Sequence, residues 1–315
     1  MGAFEKIVMV TQKTWLDNLV EKFNTKEQAK FYIEHAGGSF KEYLDAHTIY
    51  YNAIQTIKNS ITNRYKFQIV EKSYLPNFHF NDTDLVLVVG RDGLVVNTAK
   101  YLDQQKILGI NPDHTRNAGI LLPFTLDDVV TQLQNIENND ESISLITLSQ
   151  AQINSYSKIF GVNDIFIGHK SHQSARYLIK FRGVEEHHSS SGIIISTGLG
   201  STGWLKSILT GAIGIVQNFR SELDLFPLTE KEYKLPWDAD ALFFSVREPW
   251  QSKVTGSNLV FGKINKGEKL IIESEMPDSG VIFSDGTEQD NLEFNSGCTA
   301  SISIADKKIK LVIPN

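Results

Sequence analysis

Asp84-Leu-Val-Leu-Val-Val-Gly-Arg-Asp-Gly93 reads as a strand buried on both faces that stops in a tight turn. The apolar run Leu85 to Val89 is short, rich in Val and bounded by turn formers, as in a central strand of a parallel sheet. Leu94 to Leu102 has few helix breakers and predicts a helix. Strand, glycine turn and helix in succession bring backbone N–H groups to a helix N-terminus, where a phosphate is favoured. Asp92 stands inside the turn, at the carboxyl end of the strand, where open α/β sheets place their ligands. A carboxylate repels phosphate. Asp92 therefore suggests a group that holds a metal or accepts a proton from a hydroxyl. Alone, the short motif is equally a plain strand end with Asp in its turn.

Working outward, Lys6 to Val10 reads as the first strand. Trp15-Leu16 and Leu19-Val20-Phe23 recur at helical spacing. Thr25 with Gln28 and Ser39 with Glu42 match the capping-box spacing, and Gly37-Gly38 separates the helices they open. The second of these helices is long: Tyr43, His47, Tyr50, Ile54, Ile57 and Ile61 trace one face, on which His47 reads as a core or rim histidine. Tyr65 to Val70 and Lys106 to Asn111 are further strands. Leu126 to Ile136 is a helix with Thr125 as N-cap. Strand and helix alternate, which predicts an α/β layer, Rossmann-like, with a mainly parallel sheet over residues 1–138.

The pattern then changes. Short β-rich runs follow, at Ser142 to Leu148, Asp164 to Gly168, Arg176 to Phe181, Gly192 to Ser196, Ala241 to Val246, Lys269 to Glu273, Gly280 to Phe283, Thr299 to Ile304 and Lys308 to Ile313. They predict a β-sandwich over residues 139–315, with Glu137 to Glu141 as linker. Asn218 to Asp240, polar and acidic with two prolines, reads as an insertion or mobile loop.

Bulk properties exclude several classes. The net charge of −6 argues against a broad nucleic-acid surface. No apolar run nears the roughly 20 residues of a membrane helix. Met1 to Val10 lacks the basic end and apolar core of a signal peptide. The single cysteine, Cys298, cannot form an internal disulfide. A cytoplasmic location fits all of these.

Two stretches of the second half bear on chemistry. Ser189-Ser-Ser-Gly-Ile-Ile-Ile-Ser-Thr-Gly-Leu-Gly-Ser-Thr-Gly-Trp204 is again a buried strand and a small-residue turn, followed by a predicted helix from Trp204 to Leu209. Small residues admit a ligand to the backbone, and hydroxyls bond phosphate or ribose. Asn163-Asp164 opens a strand, where the carboxylate can accept both hydrogens of a ribose diol. An Asx turn explains the same pair without a ligand. Glu185-Glu186-His187-His188 alternates across a strand, so joint chelation by the histidines is disfavoured and a solvated hairpin is expected.

In this order the pieces resemble the NAD kinase family. Its Gly-Gly-Asp-Gly-Thr, Gly-Ile-Asn, Asn-Glu, Gly-Ser-Thr-Ala-Tyr and late Asp-Gly are matched by Gly90 to Leu94, Gly109-Ile110-Asn111, Asn163-Asp164, Gly200 to Trp204 and Asp285-Gly286. Asn111-Pro-Asp-His and the Ser-Ser-Gly before the second buried strand resemble its mitochondrial branch. The resemblance runs from about Asp84 onward. It implies an α/β domain followed by a β-sandwich, with NAD bound between them. It also implies ATP and Mg²⁺ as cofactors, with transfer of the γ-phosphoryl to the 2′-hydroxyl of the adenosine ribose. By position, Asp92 activates that hydroxyl, with Gly90, Arg91 and Gly93 around it. Asn163 and Asp164 bind dinucleotide ribose and base. Thr197, Gly200, Ser201, Thr202, Gly203 and Trp204 line the dinucleotide site. The resemblance further implies a homodimer or homotetramer.

Departures are specific. Arg91 replaces the second glycine and Leu94 the threonine, Asp164 is one methylene shorter than Glu, and Leu199 and Gly203-Trp204 replace Thr or Ser and Ala-Tyr. Arg91 and Leu94 leave open a non-catalytic nucleotide binder of the same fold. A diacylglycerol-type lipid kinase, which shares the Gly-Gly-Asp-Gly turn, is a further alternative that Asn163-Asp164 and Gly200-Ser-Thr disfavour.

Overall fold

The computed structural model describes residues 3–219 and 229–315. The chain divides into two units, Met1–Ser144 with Ile309–Asn315, and Leu145–Lys308.

The first unit contains β1 (Lys6–Thr11), α1 (Trp15–Phe23), α2 (Lys26–His35), α3 (Phe40–Ile61), β2 (Phe67–Glu71), β3 (Asp84–Val89), α4 (Asp92–Ala99), β4 (Lys106–Ile110) and α5 (Val129–Asn138). Its sheet runs β2-β1-β3-β4, every pairing parallel. The end of the chain's final strand adds to β4, also in parallel, with Lys310 opposite Lys106. β3 is buried at every position, as its unbroken apolar run requires of a strand covered on both faces. Tyr50, Ile57 and Ile61 of α3 and Val129, Leu133 and Ile136 of α5 pack in one core with strand residues such as Ile7, Leu87 and Leu108.

Two helices start at different places from those predicted. α4 begins at Asp92, because Gly90 and Arg91 complete the turn and Asp92 takes the first helical position. α5 begins at Val129: the Asp128 carboxylate captures the N–H and hydroxyl of Thr125 at 2.7 and 2.8 Å and holds a turn ahead of the helix.

The second unit takes up β5 (Ser142–Ile153), which starts at the end of the first. It continues with β6 (Ser157–Gly161), β7 (Asp164–His169), β8 (Ala175–Phe181), β9 (Val184–Ser190), β10 (Ile193–Ser196), α6 (Trp204–Phe219), α7 (Glu230–Tyr233), β11 (Ala241–Val246), β12 (Phe261–Asn265), β13 (Leu270–Ser274), β14 (Gly280–Ser284), β15 (Thr287–Glu293) and β16 (Thr299–Ile313). One antiparallel sheet runs β12-β11-β10-β7-β14-β15. A second antiparallel set is β16-β13-β8-β9. Alternate residues of both, among them Ile165, Ile193, Phe244, Tyr177, Ile272 and Ile302, form one buried core, which makes this unit a sandwich.

Three expectations change here. The runs ending at Ile304 and starting at Lys308 are one strand, β16; Ala305 to Lys307, which fall between the predicted runs, continue the strand. The helix predicted from Trp204 to Leu209 extends to Phe219. The His187-His188 hairpin is solvated on one face only. β9 sends His187 outward to Glu275 at 2.6 Å, while the buried His188 bonds Glu186 at 2.7 Å. Glu186 also accepts from the N–H groups of Asn258 and Leu259. Burial works to raise its pKa, but those donors and His188 outweigh burial and hold it at about 2. Of the stretch Asn218 to Asp240, residues 220–228 lie outside the described residues.

Candidate functional site

In the first unit the glycine turn is held by its neighbours. The Tyr50 hydroxyl donates to the Val89 carbonyl at 3.0 Å and accepts the Gln12 N–H at 2.8 Å. One helix side chain thus ties together the ends of β1 and β3 just before Gly90. Asp92 Oδ1 accepts the Leu121 N–H at 2.7 Å. Its second oxygen makes no hydrogen bond to the described residues, so it is available to a ligand. Arg91 is exposed and caps α4 without a side-chain bond. Leu94 is buried, with Cδ2 filling the space over Gly90. Gly93 is exposed. The turn therefore offers an exposed backbone and one anchored carboxylate beside a helix N-terminus.

In the second unit the structure brings Asn163, Asp164, Thr197 and Gly200 to Trp204 together. Asn163 and Asp164 open β7, next to β10, with Ser196 opposite Asp164. Thr197 is fully buried. Its N–H donates to the Asn163 carbonyl at 2.9 Å and its hydroxyl to the Val162 carbonyl at 2.5 Å. The same hydroxyl accepts the Gly200 N–H at 3.2 Å. Gly200 lies so close that a Cβ there would collide with the Asn163 carbonyl, which is why only glycine serves. Ser201 is fully buried; its hydroxyl donates to the Gly198 carbonyl at 2.7 Å and accepts the Leu235 N–H at 3.3 Å. Thr202 and Gly203 are exposed.

The side chains at this turn are chemically open. Asn163 makes no side-chain hydrogen bond to the described residues. Asp164 Oδ1 is buried with no hydrogen-bond partner among the described residues. Burial pushes its pKa up to about 7; Ser196 works the other way, and the charge of Asp285 adds to the rise. An unpartnered buried oxygen is costly, and a ligand donor would satisfy it.

Two features were not legible beforehand. The half-buried Trp204 ring lies parallel to Phe166, with centroids 6.1 Å apart, and the Arg247 guanidinium sits 5.5 Å from its centroid. These residues, with Lys170, Phe283 and Asn291, line a hollow of about 150 Å³. The reach of Asp285, which the sequence offers only as a late Asp-Gly match, is the other. Its carboxylate gathers the backbone N–H groups of Val162, Asn163 and Asp164. Asp-Gly flags a turn in sequence, but no local signal reports a contact so far along the chain.

No family model matches the chain, and no curated protein matches it. Solved structures do. The chain is similar to yeast NADH kinase complexed with NADH, at 13% identity and a TM-score of 0.61, over 99% of this chain and 84% of that one. It is also similar to an NAD kinase from Archaeoglobus fulgidus in complex with ATP, at 13% identity and a TM-score of 0.56, over 98% and 93%. The fold is that of the NAD kinases. At this identity the likeness is one of architecture: a parallel α/β unit and an antiparallel sandwich.

Proposed function

We propose that the chain is an NAD kinase, transferring the γ-phosphoryl of ATP to the 2′-hydroxyl of the adenosine ribose of NAD to give NADP. The observation that carries this reading is the Asn163-Asp164 turn clamped against Gly200. It combines an unengaged amide with a buried, unpartnered carboxylate oxygen, a donor–acceptor pair suited to ribose and base. The fold it shares with kinases solved with NADH and with ATP supports the same reading.

In this mechanism Asp92 accepts the proton of the 2′-hydroxyl on its second oxygen, while the bond to Leu121 N–H holds the carboxylate in place. A positioned base contributes roughly 10²–10⁴-fold; most of the remaining acceleration is alignment and charge neutralisation. Gly93 leaves backbone open to phosphate, Gly90 lies buried beneath Leu94, and exposed Arg91 adds a positive charge. Thr202, Gly203 and Trp204 line the dinucleotide site, with Thr197, Gly200 and Ser201 supporting the turn beneath them. Mg²⁺ takes one or two carboxylates plus substrate phosphates, and Asp92 has one oxygen without a hydrogen bond to the described residues. Asp92 is the carboxylate that would hold it, and the bound ion would neutralise triphosphate charge. The mitochondrial branch of the family and a homodimer or homotetramer belong to the same reading.

A second reading, a nucleotide binder without turnover, is favoured by Leu94, which fills the space over Gly90 where the family has Thr, and by Arg91, which stands where the family has Gly. Incubation with ATP, Mg²⁺ and either NAD or NADH, followed by assay of NADP(H), separates the two. Product formation is expected. Binding of NADH without product establishes the second reading, and absence of binding removes both.

A further inference from the structure

The hairpin between β14 and β15 turns on two residues, Asp285 at φ +54° and Gly286 at φ +67°. Positive φ at both positions is the type I′ turn, for which Asp-Gly and Asn-Gly are the favoured pairs. Turn geometry alone therefore explains an Asp or an Asn. It does not explain what the carboxylate touches. Oδ2 accepts the Val162 N–H at 3.0 Å; Oδ1 accepts Asn163 N–H at 2.7 Å and Asp164 N–H at 3.3 Å. The Asp285 N–H donates to the Asp164 carbonyl at 3.0 Å. Three successive N–H groups converging on one anion form a backbone nest of the kind that elsewhere holds phosphate. Here the anion is supplied from more than 120 residues along the chain. Thr197 grips the carbonyls of the same turn, so its backbone is fixed through both donors and acceptors, while the Asn163 amide and Asp164 Oδ1 have no partner among the described residues.

We infer that Asp285 is a positioning residue of the dinucleotide site: its carboxylate fills the nest at Val162 to Asp164 and aims Asn163 and Asp164 at the ribose. This rests on the kinase reading above. The charge of Asp285 also favours the protonated form of Asp164, which can then donate as well as accept.

The test compares wild type with Asp285→Asn in the full chain. Asn suits the same turn but offers one acceptor oxygen and no charge. NADH affinity, KM for NAD and for ATP, melting temperature, amide exchange at Val162 and Asn163, and the titration of Asp164 by NMR are measured. NADH affinity and KM for NAD should worsen by about tenfold or more, as expected when hydrogen bonds to a charged group are lost. KM for ATP should stay near wild type, exchange at the two amides should accelerate, and Asp164 should titrate at lower pH. A merely structural role predicts a lower melting temperature with NADH affinity of the folded protein unchanged; that result, or unchanged amide exchange, overturns the proposal. Wild type that binds no NADH sinks the kinase reading instead. Exchange and titration then still decide whether Asp285 holds the turn.

Discussion

The glycine turn of the first unit and the paired turns of the second are built in opposite ways. Around Gly90 to Gly93 one side chain, Tyr50, fixes the strand ends, and one bond, from Leu121 N–H, fixes Asp92. Around Asn163 and Gly200 the backbone is held by Thr197, Ser201 and Asp285 together, nearly every contact running from side chain to main chain. The sparse turn leaves one carboxylate oxygen without a hydrogen bond to the described residues, beside exposed backbone at Arg91 and Gly93. The dense one leaves an amide and one carboxylate oxygen without a partner among the described residues. In the proposed kinase this separates chemistry from recognition: one site is free to accommodate a reacting group, the other is rigid enough to select a ligand.

The sharpest test of that separation is Asp92→Asn. It keeps shape and helix start while removing basicity. Turnover should fall roughly 10²–10⁴-fold with NADH affinity little changed; near-normal turnover in steady-state assays would remove Asp92 from the chemistry.

Asp164 tests the dense turn through pH. Its carboxyl is raised to about 7 in the folded protein from an ordinary 3.8, so the folded state keeps a proton that the unfolded chain releases. Stability is undiminished by this group below the unfolded value, falls as pH rises through the window up to about 7, and is level above it. Asp164→Asn should abolish that slope, with a gain on the order of a few kcal/mol at pH 7.5. Thermal melts of both proteins from pH 4 to pH 8 check it, and parallel curves would show that Asp164 is not buried in this way.

Thr197→Val removes one hydroxyl of the same size and shape. It strands the Gly200 N–H and deprives the Val162 carbonyl of its donor, and should cost about 1–3 kcal/mol of stability in denaturant titrations. An unchanged midpoint would mean that the turns are not coupled through Thr197. The smallest effect is expected at the sparse turn. Arg91→Gly removes an exposed charge, which should raise KM for ATP by no more than about fivefold. A gain in turnover would instead favour the binder without catalysis.

What could be read from sequence follows the same division. The run Leu85 to Val89 has local periodicity, so strand, turn and helix at 84–102 were legible, and Thr25 forms the predicted cap with the Gln28 N–H. Ser39 makes no side-chain cap, although α3 starts beside it: the spacing of a capping box allows the bond without requiring it. β6, β12 and β15 were not legible, and β9 was legible only as the hairpin at Glu185 to His188. Val184-Glu-Glu-His-His-Ser-Ser190 carries polar residues on both faces, and its strand state comes from the Arg182-Gly183 turn, both at positive φ, that folds it onto β8. The motif residues of the second site could be named, but the clamp around them joins positions 162, 197 and 285. Such long-range contacts leave no periodicity to read.

β16 carries a consequence for biosynthesis. Its last residues, from Ile309, belong to the first unit and cover the edge of β4 in parallel. A ribosome therefore cannot finish the first unit before it has made all of the second. Until then β4 presents an open strand edge, the feature that recruits chaperones or other chains. The first unit is therefore completed only when β16 emerges.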